Sequence, residues 1–286
     1  MKNLVLDSQI LTALMTCERL MDYRFNNHYV SGHGKPNALD AGSLVHVILE
    51  NFYKAKRDGI ASPTLVGIDA GYQWLQQNEH PNLPEENELT NGRIKLLGYK
   101  YIFETMDQYF DFWKNDSWTT LETEKVLSNL IYEDDEIRVI WKAKLDWLVD
   151  TGQGIIPADH KTRKENRLRL ALDNQFIGQC YLTNSRMMVV NNIGFQRSAK
   201  PNEKFSREVM PYSADRIDEW KSLVAYYAKY LVSLTEVDFY PPRFTSCNKF
   251  YKCQFYDVCN SDRGMRNEIL KTDFIIGEPW DIGDGE

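Results

Sequence analysis

Hydrophobic positions follow two different periods along the chain. Before about residue 118 they recur at helical spacing, as in residues 41–57, where Leu44, Ile48 and Phe52 share one side of an amphipathic helix. From Trp118 to Lys161 the period becomes two, which predicts a meander of strands. The predicted helices are residues 7–26, 41–57, 62–80, 90–115, 167–185 and 211–236, and the predicted strands 125–132, 137–150, 155–161, 187–195 and 205–210. This order is typical of an α/β fold with a mixed β-sheet flanked by helices.

Charged residues interrupt two of these strands. In the second strand, Asp146 points away from the face that carries Trp141 and Trp147. A carboxylate in the middle of a strand is costly unless something pairs with it. In the third strand, Asp159 and Lys161 are two residues apart and therefore share a face. If the two strands pair, two carboxylates and an ammonium converge at one edge of the sheet.

This combination is suited to metal-assisted chemistry. Carboxylate oxygens suit Mg²⁺ or Mn²⁺, which can activate water and stabilise charge on a phosphate. Lys161 can orient that water or neutralise developing negative charge. An Asp-x-Lys alone is more often a surface ion pair, so the interpretation depends on other residues. His46 and Glu50 share a helix face and are either further metal ligands or a solvated pair. Gln175 either places the nucleophile or the DNA backbone, or it is an ordinary helix-surface residue.

Composition and charge narrow the classes of protein. The 286 residues are 43% hydrophobic, enough for one large domain or one domain with a helical annex. The sequence has no apolar run long enough to cross a membrane and no signal peptide, so we expect a cytoplasmic protein. With a net charge of −7, nucleic-acid binding requires a local basic patch. The candidate follows the third strand and contains Arg163, Lys164, Arg167 and Arg169, although it is equally a solvated helix start.

Three cysteines cluster late in the sequence. Cys247, Cys253 and Cys259 have five residues between each pair, and thiolates at short spacing bind Zn²⁺ or an iron–sulfur cluster. Cys17 can supply a fourth ligand if the N-terminal helix packs against the C-terminal segment. Disulfides are a poor explanation in a reducing compartment. Cys180 is interpreted as a buried thiol.

The order of these residues resembles a known group. Gly42-Ser43-x-x-His46-x-x-x-Glu50, then Asp146, Asp159-x-Lys161 and Gln175, is similar to the RecB-like branch of the PD-(D/E)XK nuclease superfamily over about residues 10–260. The resemblance implies a restriction-endonuclease-like fold and a Mg²⁺ or Mn²⁺ site. Its implied ligands are His46, Asp146, Asp159 and the main-chain carbonyl of His160, with Lys161 assisting catalysis.

Two positions depart from the pattern of that branch. Its glutamine opens a Gln-x-x-x-Tyr motif, but the fourth residue after Gln175 is Gln179, and the nearest tyrosine is Tyr181. The residue before Asp159 is Ala158, although Pro157 is close. Neither departure removes an implied metal ligand.

The cysteines are arranged with one before the nuclease core and three after it. This arrangement resembles that of iron–sulfur members of the same branch, such as the AddB nuclease domain and the CRISPR-associated adaptation nucleases. The resemblance implies a 4Fe-4S cluster on Cys17, Cys247, Cys253 and Cys259, joining the N- and C-terminal segments; structural Zn²⁺ is the alternative. We expect a single iron–sulfur nuclease domain over residues 1–265, with a core at 41–236, cluster-binding ends at 10–26 and 243–262, and an acidic, frayed tail at 266–286.

The expected activity is hydrolysis of DNA phosphodiester bonds. Similarity to end-processing relatives and phage-type exonucleases implies an exonuclease acting on single-stranded DNA or DNA ends in recombination, repair or phage DNA processing. A helicase or recombination protein is the implied partner. The alternatives are a related module that binds DNA without cutting it and a zinc-stabilised interaction domain. Retention of Asp146, Asp159 and Lys161 favours the enzyme.

Overall fold

The computed structural model describes residues 1–32, 36–78, 82–91, 93–163, 172–248 and 252–283. The chain forms two compact units: a first unit of residues 1–34, 126–143 and 214–286, and a second unit of residues 35–125 and 144–213. The prediction of a single domain over residues 1–265 stays a prediction.

The elements are numbered in chain order. The strands are β1 (Lys2–Leu6), β2 (Tyr29–Ser31), β3 (Glu88–Thr90), β4 (Arg93–Leu96), β5 (Thr119–Glu133), β6 (Ile137–Asp150), β7 (Ile155–Arg163), β8 (Met187–Gly194), β9 (Phe205–Pro211) and β10 (Phe274–Ile276). The helices are α1 (Ser8–Thr16), α2 (Glu18–Met21), α3 (Asn37–Arg57), α4 (Pro63–Gln77), α5 (Tyr99–Phe112), α6 (Asn174–Thr183), α7 (Pro201–Lys204), α8 (Ala214–Val237), α9 (Tyr256–Asn260) and α10 (Arg266–Asp273). A π-helical turn, Asp22–Asn26, follows α2.

The second unit is built on a mixed sheet. β6 pairs antiparallel with β7, β7 parallel with β8, and β8 antiparallel with β9. The apolar positions of these strands alternate or run continuously, as expected for a sheet covered by helices. The core joins α3 and α5 to the sheet and includes Leu44, Ile48, Ile102, Trp147 and Val189. The predicted mixed sheet flanked by helices is confirmed.

The first unit has two smaller cores. One packs α1, α2 and α8 through Leu14, Met21 and Leu234. The other gathers Phe255 and Phe274 with other apolar residues of α9 and α10. β1 pairs parallel with residues 137–141 of β6, and β10 pairs antiparallel with β2.

Several predicted boundaries change. Residues 88–90 and 93–96 form a short hairpin, so the helix predicted over 90–115 is limited to Tyr99–Phe112. The prediction of a frayed end from residue 266 is wrong for residues 266–276, which form α10 and β10 and bury Leu270 and Phe274. β1 was not predicted. Within the described residues, no helix combines the length and apolar character that crossing a membrane requires.

Candidate active site

The pairing of β6 with β7 brings two carboxylates together. Trp147 lies opposite Ala158 in the antiparallel ladder, so Asp146 and Asp159 are neighbours one step further along. The backbone N–H of His160 donates to Asp146 Oδ2 at 2.8 Å. Asp159 is fully buried and Asp146 nearly so. The two acids identified on separate strands of the sequence are thus adjacent.

Burial makes this pair of acids electrostatically costly. It raises the pKa of Asp146 to about 7, and the charge of Asp159 adds to the effect, while His46 opposes it. Two carboxylates in such surroundings avoid carrying charge together unless a cation joins them. The site therefore favours binding of a positive ion.

His46 reaches the same point from α3. Its Nε2 donates to the main-chain oxygen of His160 at 3.0 Å, and its Nδ1 lies 3.5 Å from Asp146 Oδ2. An octahedron with bonds of about 2.1 Å has edges of about 3 Å, so a nitrogen and an oxygen at this separation can be neighbouring ligands of one small divalent ion. The structure brings together His46, Asp146 and the His160 carbonyl, with Asp159 on the adjacent strand position.

Glu124 is a site residue that the sequence interpretation missed. It lies on β5 with a backbone φ of 51°, a left-handed value that is uncommon outside glycine. Single ligand atoms of His46, Glu124 and Asp146 lie within 4.8 Å of one another. Lys144 Nζ is 2.5 Å from Glu124 Oε2. The three side chains form a triad that could hold a metal ion.

Glu50 lies one turn after His46 on α3, at the margin of this triad. Burial, followed by the charge of Glu124, raises the pKa of the Glu50 carboxyl. Glu50 is thus electrostatically coupled to the triad without being part of it. The expectation that Glu50 could be a ligand stays a prediction.

Lys161, Asp159 and Gln175 form a closed triangle. Lys161 Nζ lies 2.7 Å from Asp159 Oδ2 and donates to Gln175 Oε1 at 3.2 Å. Gln175 Nε2 donates to Asp159 Oδ1 at 2.5 Å. Burial lowers the pKa of Lys161, but its contacts with Asp159 outweigh burial and raise it, so the ammonium is retained. Asp173 caps α6 by accepting from the N–H of Gln175, which fixes the helix start beside β7.

Gln179, which stands where the resembled motif has a tyrosine, and Tyr181, the nearest tyrosine, both lie on α6. Gln179 is fully buried, and its Nε2 donates to the main-chain oxygen of Lys144 at 3.1 Å. It therefore anchors α6 against β6. Tyr181 is half-buried on the same helix, and burial raises its pKa. Gln179 therefore has a structural contact of its own at the position where the resembled motif has a tyrosine.

The side chain of His160 belongs to the core. Its Nδ1 accepts from the Asn191 amide at 2.8 Å, and that amide also donates to the Tyr109 hydroxyl at 2.8 Å. The ring stacks on Tyr53, with centroids 5.7 Å apart, and on Trp147. Burial lowers the pKa of His160 well below its ordinary value, so the imidazole is neutral. The peptide groups of His160 hydrogen-bond the site residues His46 and Asp146, and its ring meets the His46 ring edge-on, with centroids 5.9 Å apart.

The predicted basic patch is only partly described. Arg163 ends β7, two residues after Lys161. Lys164, Arg167 and Arg169 lie outside the described residues.

Four cysteines of the first unit are free thiols, each half-buried: Cys17, Cys247, Cys253 and Cys259. The backbone N–H of Arg243 donates to Cys17 Sγ at 3.3 Å. Burial raises the pKa of Cys247 and Cys253, and the charges of the other cysteines of this set raise both further. The four sulfurs are thus close enough to repel one another as thiolates.

A Glu18–Arg243 ion pair fixes the chain beside Cys17. The guanidinium donates to both carboxylate oxygens, with distances from 2.5 to 3.0 Å, and to the main-chain oxygen of Met15. The Glu18 side chain is only 3% exposed. The N-terminal helices therefore pack against the C-terminal segment, which is the condition for Cys17 to join the late cysteines. Cys180 is fully buried in the second unit, and burial raises its pKa to about 12.

Comparisons with known proteins give a distant likeness. No protein-family model matches the sequence, and no curated protein matches it. A crystal structure of a candidate exonuclease from Eubacterium rectale is 12% identical, with 85% of each chain covered and a TM-score of 0.49. LHK-Exo in complex with dAMP is 11% identical, with 68% of this chain and 95% of that chain covered and a TM-score of 0.34.

Proposed function

We propose that the second unit is the catalytic centre of a Mg²⁺- or Mn²⁺-dependent deoxyribonuclease of the PD-(D/E)XK type, in its RecB-like branch. The observation that carries the proposal is the pairing of Asp146 with Asp159 across β6 and β7, with Lys161 2.7 Å from Asp159. A surface ion pair would not explain two adjacent buried acids. The mixed sheet is compatible with the restriction-endonuclease-like fold that the sequence resemblance implies.

The donor set suits a hard or borderline divalent ion. Asp146, Glu124 and the His160 carbonyl offer oxygen, and His46 offers an imidazole nitrogen. Asp159 adds a second buried carboxylate at the adjacent position. The raised pKa of Asp146 marks a carboxyl group whose charge needs a cationic partner.

The chemistry is hydrolysis of a phosphodiester: water attacks phosphorus, one P–O bond breaks, and the departing oxygen takes a proton. A divalent ion held at this site supplies Lewis-acid stabilisation of the phosphate charge and makes water more acidic. Lys161 presents a buried ammonium that neutralises developing charge on the phosphate or orients the attacking water. Gln175 holds Lys161 and Asp159 in a fixed relation through two hydrogen bonds. Because the two groups are already ordered, less conformational entropy is lost on reaching the transition state.

Substitution of the acids tests the proposal. Asp146→Ala and Asp159→Ala should each abolish Mn²⁺-dependent cleavage and leave DNA binding in Ca²⁺ largely intact. The control is Asp150→Ala, at the end of β6, the strand that carries Asp146; this variant should cleave DNA at the wild-type rate. Lys161→Ala should lower single-turnover cleavage by about 10²-fold, with metal binding retained. Near wild-type cleavage by either acid variant would contradict the proposal, and tight binding without cleavage under all these conditions would identify a binding module.

The substrate follows from the same resemblance. We propose single-stranded DNA or DNA ends and exonucleolytic action, with a helicase or recombination protein as partner. Digestion of linear and circular single strands, compared in one assay, tests the requirement for an end. Equal cleavage of the circle would contradict exonuclease action.

We also propose that the first unit holds a 4Fe-4S cluster on Cys17, Cys247, Cys253 and Cys259. Half-buried thiols that would repel one another as thiolates can ionise together only around a positively charged centre. The N–H donated by Arg243 to Cys17 Sγ is the type of hydrogen bond that tunes cluster potentials.

Anaerobic purification tests this second proposal. The protein should be brown and contain about four irons per chain. Alanine at any of the four cysteines should reduce iron content, whereas Cys180→Ala, a buried thiol outside the set, should not change it. One zinc per chain and no iron would establish the zinc alternative.

A further inference from the structure

A cavity of about 740 Å³ opens in the second unit beside the candidate active site. Its lining contains four cationic side chains and, among the described residues, no aspartate or glutamate: Arg93 and Lys95 from β4, Arg163 from β7, and Arg197 from the segment after β8. Arg93, Lys95 and Arg197 are exposed. Such a concentration of one sign of charge in a cleft attracts anions.

The rest of the lining is part apolar and part polar. Ala38 and Ala41 of α3, Ile94 and Leu97 of the β4 segment and the buried ring of Phe195 supply an apolar wall, and the polar lining residues are Asn37, Thr162, Gln196 and Ser198. A volume of a few hundred Å³ is typical of a small-ligand site. A wall of this kind with cations at its margin matches a nucleotide, which has an apolar base face and a charged phosphate.

The cavity and the candidate active site share α3 and β7. His46 meets the His160 carbonyl on these two elements, and Ala41 and Thr162 line the cavity on the same pair. α3 and β7 pack closely at this point: a Cβ added to Gly42 of α3 would lie 3.5 Å from Thr162 Oγ1 of β7. Along the helix, the rise from His46 is roughly 8 Å to Ala41 and roughly 12 Å to Ala38. A strand whose phosphate lies at Lys161 can therefore reach the cavity with a neighbouring nucleotide.

We propose that this cavity is a subsite for an unpaired nucleotide of a DNA strand. The base contacts the apolar wall, and the flanking phosphates contact Arg93, Lys95 and Arg197. The inference rests on the proposed nuclease function and specifies its substrate. A base inside a cavity of this size cannot remain paired and stacked in a duplex, so the site selects single-stranded DNA.

Binding in Ca²⁺ tests the subsite without cleavage. Titration calorimetry would compare a short oligothymidine, a blunt hairpin duplex and thymidine monophosphate on the full chain. The oligothymidine should bind at least tenfold tighter than either of the others. Equal affinity for the hairpin would overturn selection of unpaired DNA, and equal affinity for the monophosphate would show a site for free nucleotide instead.

Two kinds of variant locate the contact. Arg93→Ala combined with Arg197→Ala should weaken oligothymidine binding about tenfold or more and reduce the slope of log affinity against log salt by roughly 1.4, because each phosphate contact contributes roughly 0.7 on single strands. Lys114→Ala, an exposed lysine of the same unit outside the lining, is the charge control. Ala38→Trp fills the cavity without changing charge and should also weaken binding. Leu39→Trp, one residue further on and not in the lining, should bind normally.

The outcomes separate this inference from the proposed function. Unchanged affinity and salt slope in the double variant would overturn the subsite while leaving Mn²⁺-dependent cleavage as it is. Wild-type protein that binds through the cavity but never cuts would contradict the nuclease and leave the subsite standing.

Discussion

The side-chain amide of Gln175 donates a hydrogen bond to Asp159 Oδ1 at 2.5 Å. The same amide accepts from Lys161 at 3.2 Å, so a carboxylate and an ammonium that lie on one strand face are joined through the start of α6. Residues of the strand and the helix therefore hold each other in place.

Replacement of Gln175 tests this coupling. Gln175→Leu removes both hydrogen bonds at similar volume and should lower the single-turnover rate about tenfold, because Lys161 and Asp159 lose a fixed orientation. The affinity for Mn²⁺ should change little. Gln153→Leu, on the exposed turn before β7, is the control. A rate equal to wild type would show that the triangle is structural only.

Glu124 should contribute to metal affinity. Glu124→Gln keeps the shape but removes a charge that lies within 4.8 Å of ligand atoms on His46 and Asp146. Mn²⁺ binding, measured by electron paramagnetic resonance, should weaken about tenfold or more. Glu122→Gln, two residues earlier on β5, should bind as wild type. Equal affinities of the two variants would remove Glu124 from the site.

The metal-free protein should become less stable as pH rises. The folded pKa of Asp146, about 7, lies above its unfolded value of about 3.9, so the folded state favours the protonated acid. The loss of unfolding free energy caused by ionising Asp146 is absent below about pH 4 and grows up to about pH 7. Above that pH the loss is constant, on the order of a few kcal/mol.

Urea unfolding in EDTA across this interval measures the effect. Added Mn²⁺ should reverse the loss, because the cation favours the carboxylate. Asp146→Asn should reduce the pH dependence, and Asp150→Asn should retain it. A wild-type stability that is flat or rises from pH 5 to pH 7 in EDTA would be inconsistent with a destabilised carboxylate.

The Glu18–Arg243 pair should support cysteine ligation. Glu18→Ala removes a buried carboxylate that accepts from Arg243 and from Tyr230, and should destabilise the first unit by about 2 kcal/mol and lower its iron content. Glu236→Ala removes one partner of the exposed pair with Lys2 and should do neither. Full iron loading in Glu18→Ala would show that the cysteines assemble without this pair.

The alternation of apolar and polar residues was sufficient to predict the strands that carry Asp146 and Asp159. The alternation around Trp141 and Trp147 fixed the face of Asp146, and the two-residue spacing fixed Lys161 beside Asp159, since both follow from strand geometry. The order of elements predicted a mixed sheet for the same reason. The frame of the candidate site was therefore accessible from sequence.

Long-range packing determined what the sequence did not reveal. Glu124 enters the site only because β5 pairs with β6 and carries a left-handed residue at that position, which no local pattern signals. β1 is short and pairs with residues more than a hundred positions away. The segment after residue 266 is too polar for its pattern to indicate order, yet Leu270 and Phe274 find a core.

The backbone and the side chain of His160 have separate roles. Its N–H holds Asp146 and its carbonyl meets His46, while its ring lies among Tyr53, Trp147 and Asn191. Backbone groups survive every substitution except proline, so these two hydrogen bonds set no requirement for histidine at this position. Substitution at residue 160 is limited mainly by the interior, where a replacement side chain has to fit among Tyr53, Trp147 and Asn191.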